Sequence, residues 1–106
     1  MIILTGSSGG IGSKILKRLS NIDSVIALYN SHKPNIIPCG KIIYEQLDIS
    51  DLSQVELFVK KWEHKLKDVT LIHFAAIKID GLVLEYKVSD WDNVFNINLR
   101  ANFILT

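Results

Sequence analysis

The sequence predicts an α/β protein built on half of a doubly wound parallel sheet, with helices covering both faces. Short apolar segments of strand length alternate along the chain with segments whose apolar residues recur at helical spacing, a pattern typical of parallel sheets. With 106 residues the chain has the size of one domain, so we treat residues 1–106 as a single unit. Right-handed crossover connections then predict the strand order 3-2-1-4.

The first strand is predicted over Ile2–Thr5, an apolar run that ends in a cluster of glycine and serine at residues 6–12. The following helix is amphipathic, with lysine and arginine opposite apolar residues at helical spacing: Ile11, Ile15, Leu16 and Leu19. Val25–Tyr29 is a second apolar run of strand length. Residues 30–41 contain two prolines and a glycine, which predict a loop as the second connection.

Two further strands complete the predicted sheet. Residues 42–47 predict a third strand that ends at Asp48, and residues 69–76 predict a fourth. The fourth strand would form an open, apolar sheet edge, and the last helix reaches Thr106 without a capping signal. We therefore expect the chain to be a fragment of a longer protein.

Capping patterns predict where the last two helices begin. Ser53 with Glu56 has the spacing of a capping box for the helix between the third and fourth strands, and Ser50 is a competing cap. Ser89 with Asp92 has the same spacing before the final apolar helical pattern.

Composition and charge exclude several classes of function. The formal net charge is +1, which gives no overall attraction to nucleic acid or to an anionic membrane, so neither is an expected partner. No apolar run approaches the ~20 residues of a membrane span, and the N-terminus lacks the basic region and cleavage site of a signal peptide. Cys39 is the only cysteine, so we expect no internal disulfide and no metal site. A cytoplasmic location is the expectation.

The glycine-rich turn after the first strand predicts an anion site. Unpaired N–H groups of the first helical turn point towards a phosphate in such a turn, and the helix dipole favours negative charge. Glycine is needed because a dinucleotide's diphosphate approaches the backbone where a Cβ atom would collide with it. We therefore predict dinucleotide binding here, with an ordinary strand–helix turn as the alternative.

Four segments resemble, in order, the motifs of the short-chain dehydrogenase/reductase family. Residues 5–12, TGSSGGIG, resemble its TGxxxGIG motif, and residues 47–50, LDIS, resemble the D-V segment after its third strand. Residues 73–76, HFAA, take the place of its NNAG motif, and residues 97–99, INL, resemble the segment that carries the asparagine of the catalytic tetrad. The resemblance covers nearly the whole chain and implies a Rossmann-type fold.

The HFAA segment departs from the family pattern. His73 and Phe74 replace both asparagines of NNAG, and Ala76 replaces its glycine. HFAA also resembles the H-x-A-A segment of the extended branch, which contains the sugar-nucleotide epimerases and shares the TGxxGxxG spacing found here. The stretch from Ala76 to Asn98 resembles the single-domain branch more closely, so we favour that branch. His73 is interpreted as a hydrogen-bonded core histidine.

The turn chemistry and the resemblance together give a set of candidate site residues. The resemblance implies that Asp48 meets the adenine amino group and that Asn98 is the one catalytic residue present. The predicted cofactor-binding residues are Gly6, Ser8, Gly10, Ile11, Gly12, Asn30, Ser31, Asp48, Ile49, Phe74, Ala75 and Ala76.

The end of the second strand indicates which nicotinamide cofactor is used. NAD-binding proteins place an acidic residue there, which binds the ribose 2′-hydroxyl and repels a 2′-phosphate. Here Asn30 and Ser31 offer hydrogen bonds, and His32 or Lys33 offers positive charge. We therefore predict NADP. NAD is the alternative, because Gly9 lies where many NADP-using relatives carry arginine or lysine.

The family's hydride transfer depends on a helical Tyr-x-x-x-Lys motif, whose tyrosine is the general acid/base. Tyr29, Tyr44 and Tyr86 all lie outside the element that carries this motif, so we expect the 106-residue chain alone to be inactive. The resemblance implies that the parent protein is an NAD(P)-dependent oxidoreductase acting on a small carbonyl or alcohol, similar to 3-oxoacyl-carrier-protein reductase-like members. It also implies a homo-oligomer, a dimer or tetramer. The alternatives are a non-catalytic nucleotide-binding module and a sugar-nucleotide epimerase or reductase.

Overall fold

The computed structural model of the protein describes residues 1–36 and 40–106, so the interpretation of Cys39 lies outside the described residues. Four parallel strands form one sheet in the order β3-β2-β1-β4, which confirms the predicted fold class and strand order. The strands are β1 (Ile2–Thr5), β2 (Val25–Tyr29), β3 (Ile42–Gln46) and β4 (Thr70–His73). The helices are α1 (Gly10–Leu19), α2 (Leu52–Trp62), α3 (Val88–Phe95) and α4 (Ala101–Leu105), and a π-helical turn over Asn96–Arg100 joins the last two.

Each face of the sheet carries its own apolar core, because alternate residues of a strand point to opposite sides. On one face, Leu16 and Leu19 of α1 share a cluster with strand residues Ile2, Leu4, Val25 and Ala27. On the other face, α2 and α4 contribute to a second cluster: Ile3, Ile26, Leu28, Leu47, Ile49, Val55, Phe58, Trp62 and Ala101. Helices therefore cover both faces, as predicted, and the central strands β1 and β2 are the most deeply buried.

The connection between β2 and β3 is a loop over its described residues, 30–36 and 40–41. Pro34 is buried, and Ile36 packs against the core on the α1 side. The loop therefore takes over part of the covering role that a crossover helix would have, and it leaves the carboxyl end of β2 accessible.

The helix starts differ from the two capping predictions. The N-cap of α2 is Asp51, whose carboxylate accepts hydrogen bonds from the Ser53 and Gln54 N–H groups at 3.0 and 3.3 Å. Ser50 lies one residue before the N-cap position, and its hydroxyl donates to Asp48 at 2.6 Å. The predictions of Ser53 and Ser50 as caps are therefore wrong: the Asp51 carboxylate, directly before the first helical residue, takes the position.

The start of α3 and the length of β4 also differ from prediction. α3 begins at Val88 with Lys87 as its N-cap and no side-chain cap, so Ser89 lies inside the first turn. β4 ends at His73, three residues before the predicted end at Ala76. It ends there because its partner β1 ends at Thr5. Across the described residues, no helix is both long and apolar enough to cross a membrane.

Candidate nucleotide-binding site

The turn after β1 depends on a positive backbone φ at its first glycine. Gly6 has φ +67°, in the left-handed region that favours glycine. A Cβ atom at Gly6 would also lie 2.5 Å from the Ala75 nitrogen, so this residue brings the turn directly against the segment that follows β4. Two independent reasons thus require glycine at position 6: its positive φ, and the lack of space for a Cβ atom.

Gly12 shapes the same turn from the helix side. A Cβ atom at Gly12 would lie 2.1 Å from the Gly6 carbonyl oxygen, a distance that no side chain tolerates. Gly12 is buried, so it does not expose its amide to a ligand. Its role in the structure is to let α1 pack on the turn.

Gly10 differs from both. It is the first residue of α1, and a Cβ atom there would have nothing within 4 Å. The preceding N-cap, Gly9, makes no side-chain cap hydrogen bond, and the first turn of α1 contains no acidic residue. Among the described residues, the N–H groups of Gly10 and Ile11 donate no hydrogen bond, so the start of α1 has the free donors that bind phosphate at helix N-termini.

A cleft of about 340 Å³ opens beside this turn, at the carboxyl ends of the four strands. This is the position where ligands bind in open α/β sheets. Nine of the predicted cofactor-binding residues line it: Gly6, Ser8, Asn30, Ser31, Asp48, Ile49, Phe74, Ala75 and Ala76. The structure also places in its wall six residues that were not among the predicted cofactor-binding residues: Gly9, Leu28, Tyr29, Leu47, Ile77 and Ile97.

Three predicted residues lie outside the lining of the cleft. Gly12 is buried beneath the turn, whereas Gly10 and Ile11 border a separate groove along α1 with Lys14 and Arg18. Ile11 is 68% exposed, which is unusual for a large apolar side chain in the first turn of a core helix. The periodicity that placed Ile11 on the apolar face of the helix therefore assigned it to the wrong environment.

Two buried hydroxyl groups hold the cleft walls together. The Thr5 hydroxyl accepts hydrogen bonds from the Phe74 and Ala75 N–H groups at 3.2 and 3.1 Å. The Ser7 hydroxyl donates to the Leu28 carbonyl at 2.8 Å, and so ties the turn to β2. Both side chains are fully buried, and they fix the turn relative to its neighbours on either side.

Asp48 lines the cleft just beyond β3, with one carboxylate oxygen already engaged. Its Oδ1 accepts hydrogen bonds from the Ser50 N–H at 2.9 Å and from the Ser50 hydroxyl at 2.6 Å. Its own N–H donates to the side-chain oxygen of Gln54 at 3.0 Å. These contacts fix the orientation of the carboxylate.

Asn98 lies in the π-helical turn, and its side chain contacts Ile77, which lines the cleft. Its side-chain oxygen accepts from the Ile77 N–H and its side-chain nitrogen donates to the Ile77 carbonyl, both at 2.9 Å. Single π-helical turns occur frequently at functional sites. Here the turn places one amide side chain against both polar groups of a residue that lines the cleft.

His73, at the end of β4, does not line the cleft. Burial lowers the pKa of its imidazole, and its Nε2 lies 3.4 Å from the Thr106 hydroxyl. Its Nδ1 is buried without a hydrogen-bond partner among the described residues. His73 is therefore a partly buried residue of the sheet with incomplete hydrogen bonding, so the interpretation of a satisfied core histidine is only partly correct.

Lys33 does not lie at the cleft, where it was predicted to offer positive charge to a 2′-phosphate. Its ammonium group lies 4.6 Å from the centroid of the Tyr44 ring, in a cation–π contact, and neither Lys33 nor His32 lines the cleft. Tyr29 and Lys33 do have Tyr-x-x-x-Lys spacing, but Tyr29 ends β2 and Lys33 lies in the loop. No helix brings these two side chains to one face.

Comparison with known proteins decides the family. The profile of the short chain dehydrogenase family matches residues 1–106, the full length of the chain. The chain belongs to the short-chain dehydrogenase family.

The proteins similar to this chain include a reductase and two structures with a bound nicotinamide cofactor. The chain is 31% identical over 105 residues to a 3-oxoacyl-(acyl-carrier-protein) reductase, FabG, of Rickettsia conorii; the match covers 97% of this chain and 44% of the relative. A short chain dehydrogenase from Leptospira borgpetersenii with bound NAD+ matches with TM-score 0.86 and 26% identity, over 98% of this chain and 42% of that one. A blue fluorescent protein from a metagenomic library, in complex with NADPH, matches with TM-score 0.80 and 26% identity, over 98% and 47%. The chain thus spans less than half the length of each of these three proteins.

Proposed function

We propose that this chain is the dinucleotide-binding part of an NAD(P)-dependent oxidoreductase that transfers hydride between a nicotinamide cofactor and a small carbonyl or alcohol substrate. The observation that carries the proposal is the uncapped start of α1, which faces open space beside a cleft at the carboxyl ends of parallel strands. Two solved relatives were found with NAD+ and with NADPH, and a curated relative is a reductase, which supports the same class of activity.

The proposed cofactor contacts follow from where the residues lie. The N–H groups of Ser8, which lines the cleft, and of Gly10 and Ile11, at the adjoining start of α1, would hold the diphosphate. Gly6 and Gly12 would shape the turn beneath them. The remaining contacts are assigned by position in the cleft: Asn30 and Ser31 to the ribose, Asp48 and Ile49 to the adenine, and Phe74, Ala75 and Ala76 to the wall that the cofactor lies against. The bound nicotinamide would supply or accept the hydride.

We propose NADP as the preferred cofactor. The end of β2 presents Asn30 and Ser31 to the cleft, and neither side chain repels a 2′-phosphate as a carboxylate would. Lys33 does not contribute, because its ammonium group lies on the Tyr44 ring. The preference therefore rests on neutral hydrogen-bond donors and on the absence of an acid at this point.

Asn98 is assigned a positioning role, because both polar atoms of its side chain bind the Ile77 backbone. We further propose that a Tyr-x-x-x-Lys motif outside these 106 residues completes the catalytic machinery, so that the isolated chain binds nucleotide without turning over substrate. A cytoplasmic, homo-oligomeric parent protein remains part of the same proposal.

Calorimetric titration of the chain with NADP+ and NAD+ tests this function. We expect saturable binding of both, tighter for NADP+. Gly9 lines the cleft, and Gly9→Ala adds a methyl group there whose nearest neighbour is the Gly6 carbonyl oxygen at 3.3 Å. The helix start should therefore stay folded while both nucleotides bind about tenfold more weakly, or ~1.4 kcal/mol. Unchanged affinity in this variant, or no binding by the wild-type chain, would contradict the proposed diphosphate site.

A further inference from the structure

The carboxyl end of β2 is held through three successive carbonyl groups. The Leu28 oxygen accepts from the N–H and hydroxyl of Ser7 at 3.1 and 2.8 Å. The Tyr29 oxygen accepts from the Leu47 N–H at 2.8 Å, and the Asn30 oxygen accepts from the side-chain nitrogen of Gln46 at 2.9 Å. The strand end is therefore fixed from the glycine turn, from the end of β3 and from one side chain.

The third of these contacts differs from the first two in kind. Ser7 and Leu47 are buried parts of the turn and of the chain after β3. Gln46, by contrast, is an exposed side chain at the last position of β3. In the sheet, Gln46 pairs with Tyr29, the last residue of β2. The Gln46 side chain therefore bonds the residue after the last pair, Asn30, which the sheet pairing does not reach. Removing this amide would release Asn30 while the sheet pairing and the buried contacts remain.

Asn30 and Ser31 are the cleft residues at the point where an adenosine ribose would lie. Charged groups nearby do not substitute for them: Lys33 contacts Tyr44, and Glu45 pairs with Lys61 at 2.5 Å. Recognition of a group on the ribose would therefore depend on where the polar atoms of Asn30 and Ser31 point. Because a phosphate is bound by several donors at once, it is more sensitive to their placement than a single hydroxyl is.

We propose that Gln46 is a positioning residue for nucleotide selectivity: by holding the Asn30 carbonyl, it sets the geometry with which Asn30 and Ser31 receive a 2′-phosphate. This inference rests on the proposed function, because it assumes that the cleft binds the adenosine end of the cofactor. It adds a residue outside the cleft lining whose effect is on the choice between two nucleotides.

The test compares two adenosine fragments, adenosine 2′,5′-bisphosphate and adenosine 5′-monophosphate, which differ only in the 2′-phosphate. Gln46→Met keeps the length of the side chain and removes its donor. We expect its affinity for the bisphosphate to fall about fivefold, which corresponds to one net hydrogen bond, with a clearly smaller change for the monophosphate. Asn21→Met is the matched control, because Asn21 is an exposed amide that precedes β2, at the opposite end of the strand from the cleft.

The ratio of the two dissociation constants is the deciding quantity, since a general loss of folded protein would weaken both fragments together. An unchanged ratio in Gln46→Met, or an equal change in Asn21→Met, would overturn the role of Gln46 while leaving the proposed function intact. A wild-type chain that bound neither fragment would overturn the proposed function and this inference together.

Discussion

The region of β1, α1 and β2 and the region from the end of β4 through α3 are stabilised in different ways. Around β1, α1 and β2, large apolar side chains such as Leu4, Leu16 and Ile26 are fully buried. Along the segment after β4 and in α3, comparable side chains lie in solvent: Val83 is 91% exposed and Leu84 is 99% exposed. α3 contains no buried residue.

The difference shows that a helix can be present in this chain without burying side chains in the apolar core, as α3 does. The segment between β4 and α3 is held by backbone hydrogen bonds and by side-chain contacts such as those of Asn98 with Ile77 and of the Tyr86 hydroxyl with the Ile79 carbonyl. Trp91 and Phe95 stack with ring centroids 4.6 Å apart beside an apolar groove of about 440 Å³. An apolar surface of this kind is typical of a binding surface.

The largest expected effect comes from truncating one leucine in each of the two regions. Leu16→Ala removes a fully buried side chain from the core on the α1 face of the sheet and should cost about 2–5 kcal/mol in the free energy of unfolding. Leu84→Ala makes the same change at a 99% exposed position and should alter it by less than about 0.5 kcal/mol. Urea unfolding measures both, and equal losses would show that the two regions do not differ as described.

The second effect is a difference in stability between alanine variants of two neighbouring glycines in the same motif, Gly12 and Gly10. Gly12→Ala places a methyl group 2.1 Å from the Gly6 carbonyl oxygen, so the helix or the turn must move, at a cost of about 1–3 kcal/mol or more. Gly10→Ala meets no atom within 4 Å and should keep or slightly raise the melting temperature. Similar melting temperatures for the two variants would contradict the contact between Gly12 and Gly6.

A third, smaller effect concerns the last third of the chain. Asn98→Ala removes both hydrogen bonds to Ile77 and should reduce stability by about 1 kcal/mol. It should also raise the hydrogen-exchange rate of the Ile77 amide, which lies outside regular secondary structure. Asn93→Ala, at an exposed position of α3, is the control and should leave that rate unchanged.

The smallest effect is a pH dependence at the end of β4. Because burial lowers the pKa of His73, the unfolded chain binds a proton more readily than the folded one. Its contribution to stability is complete above the ordinary histidine pKa and declines as the pH falls through that value towards the lowered one. Between pH 7.5 and 5.5, the melting temperature should fall less for His73→Asn than for the wild type. Identical falls would contradict a lowered pKa of His73 in the folded state.

Much of the fold follows from local patterns. The bounds of β1 and β2 match their apolar runs, and the glycine-rich turn correctly marks the start of α1. Helix caps were harder, because Ser53, Ser50 and Ser89 all have capping chemistry and only the backbone geometry selects Asp51 and Lys87.

The candidate site was predicted only in part, for a different reason. Motif positions identify residues near the strand ends, but not the direction in which each side chain points. Lys33 is close to Asn30 in sequence, yet it contacts Tyr44. The anchoring role of Ser7 and the contact of Gln46 with Asn30 join residues 21 and 16 positions apart, so no local pattern reveals them.

The charge of the cleft lining has a consequence for how nucleotide affinity responds to ionic strength. Among the described residues that line it, none is lysine or arginine and the one ionisable carboxylate is Asp48. Phosphate would therefore be met by backbone dipoles at short range, where mobile ions screen little, in place of formal cations. Added potassium chloride should change the dissociation constant only slightly, in contrast to proteins that hold the same anion with paired basic side chains.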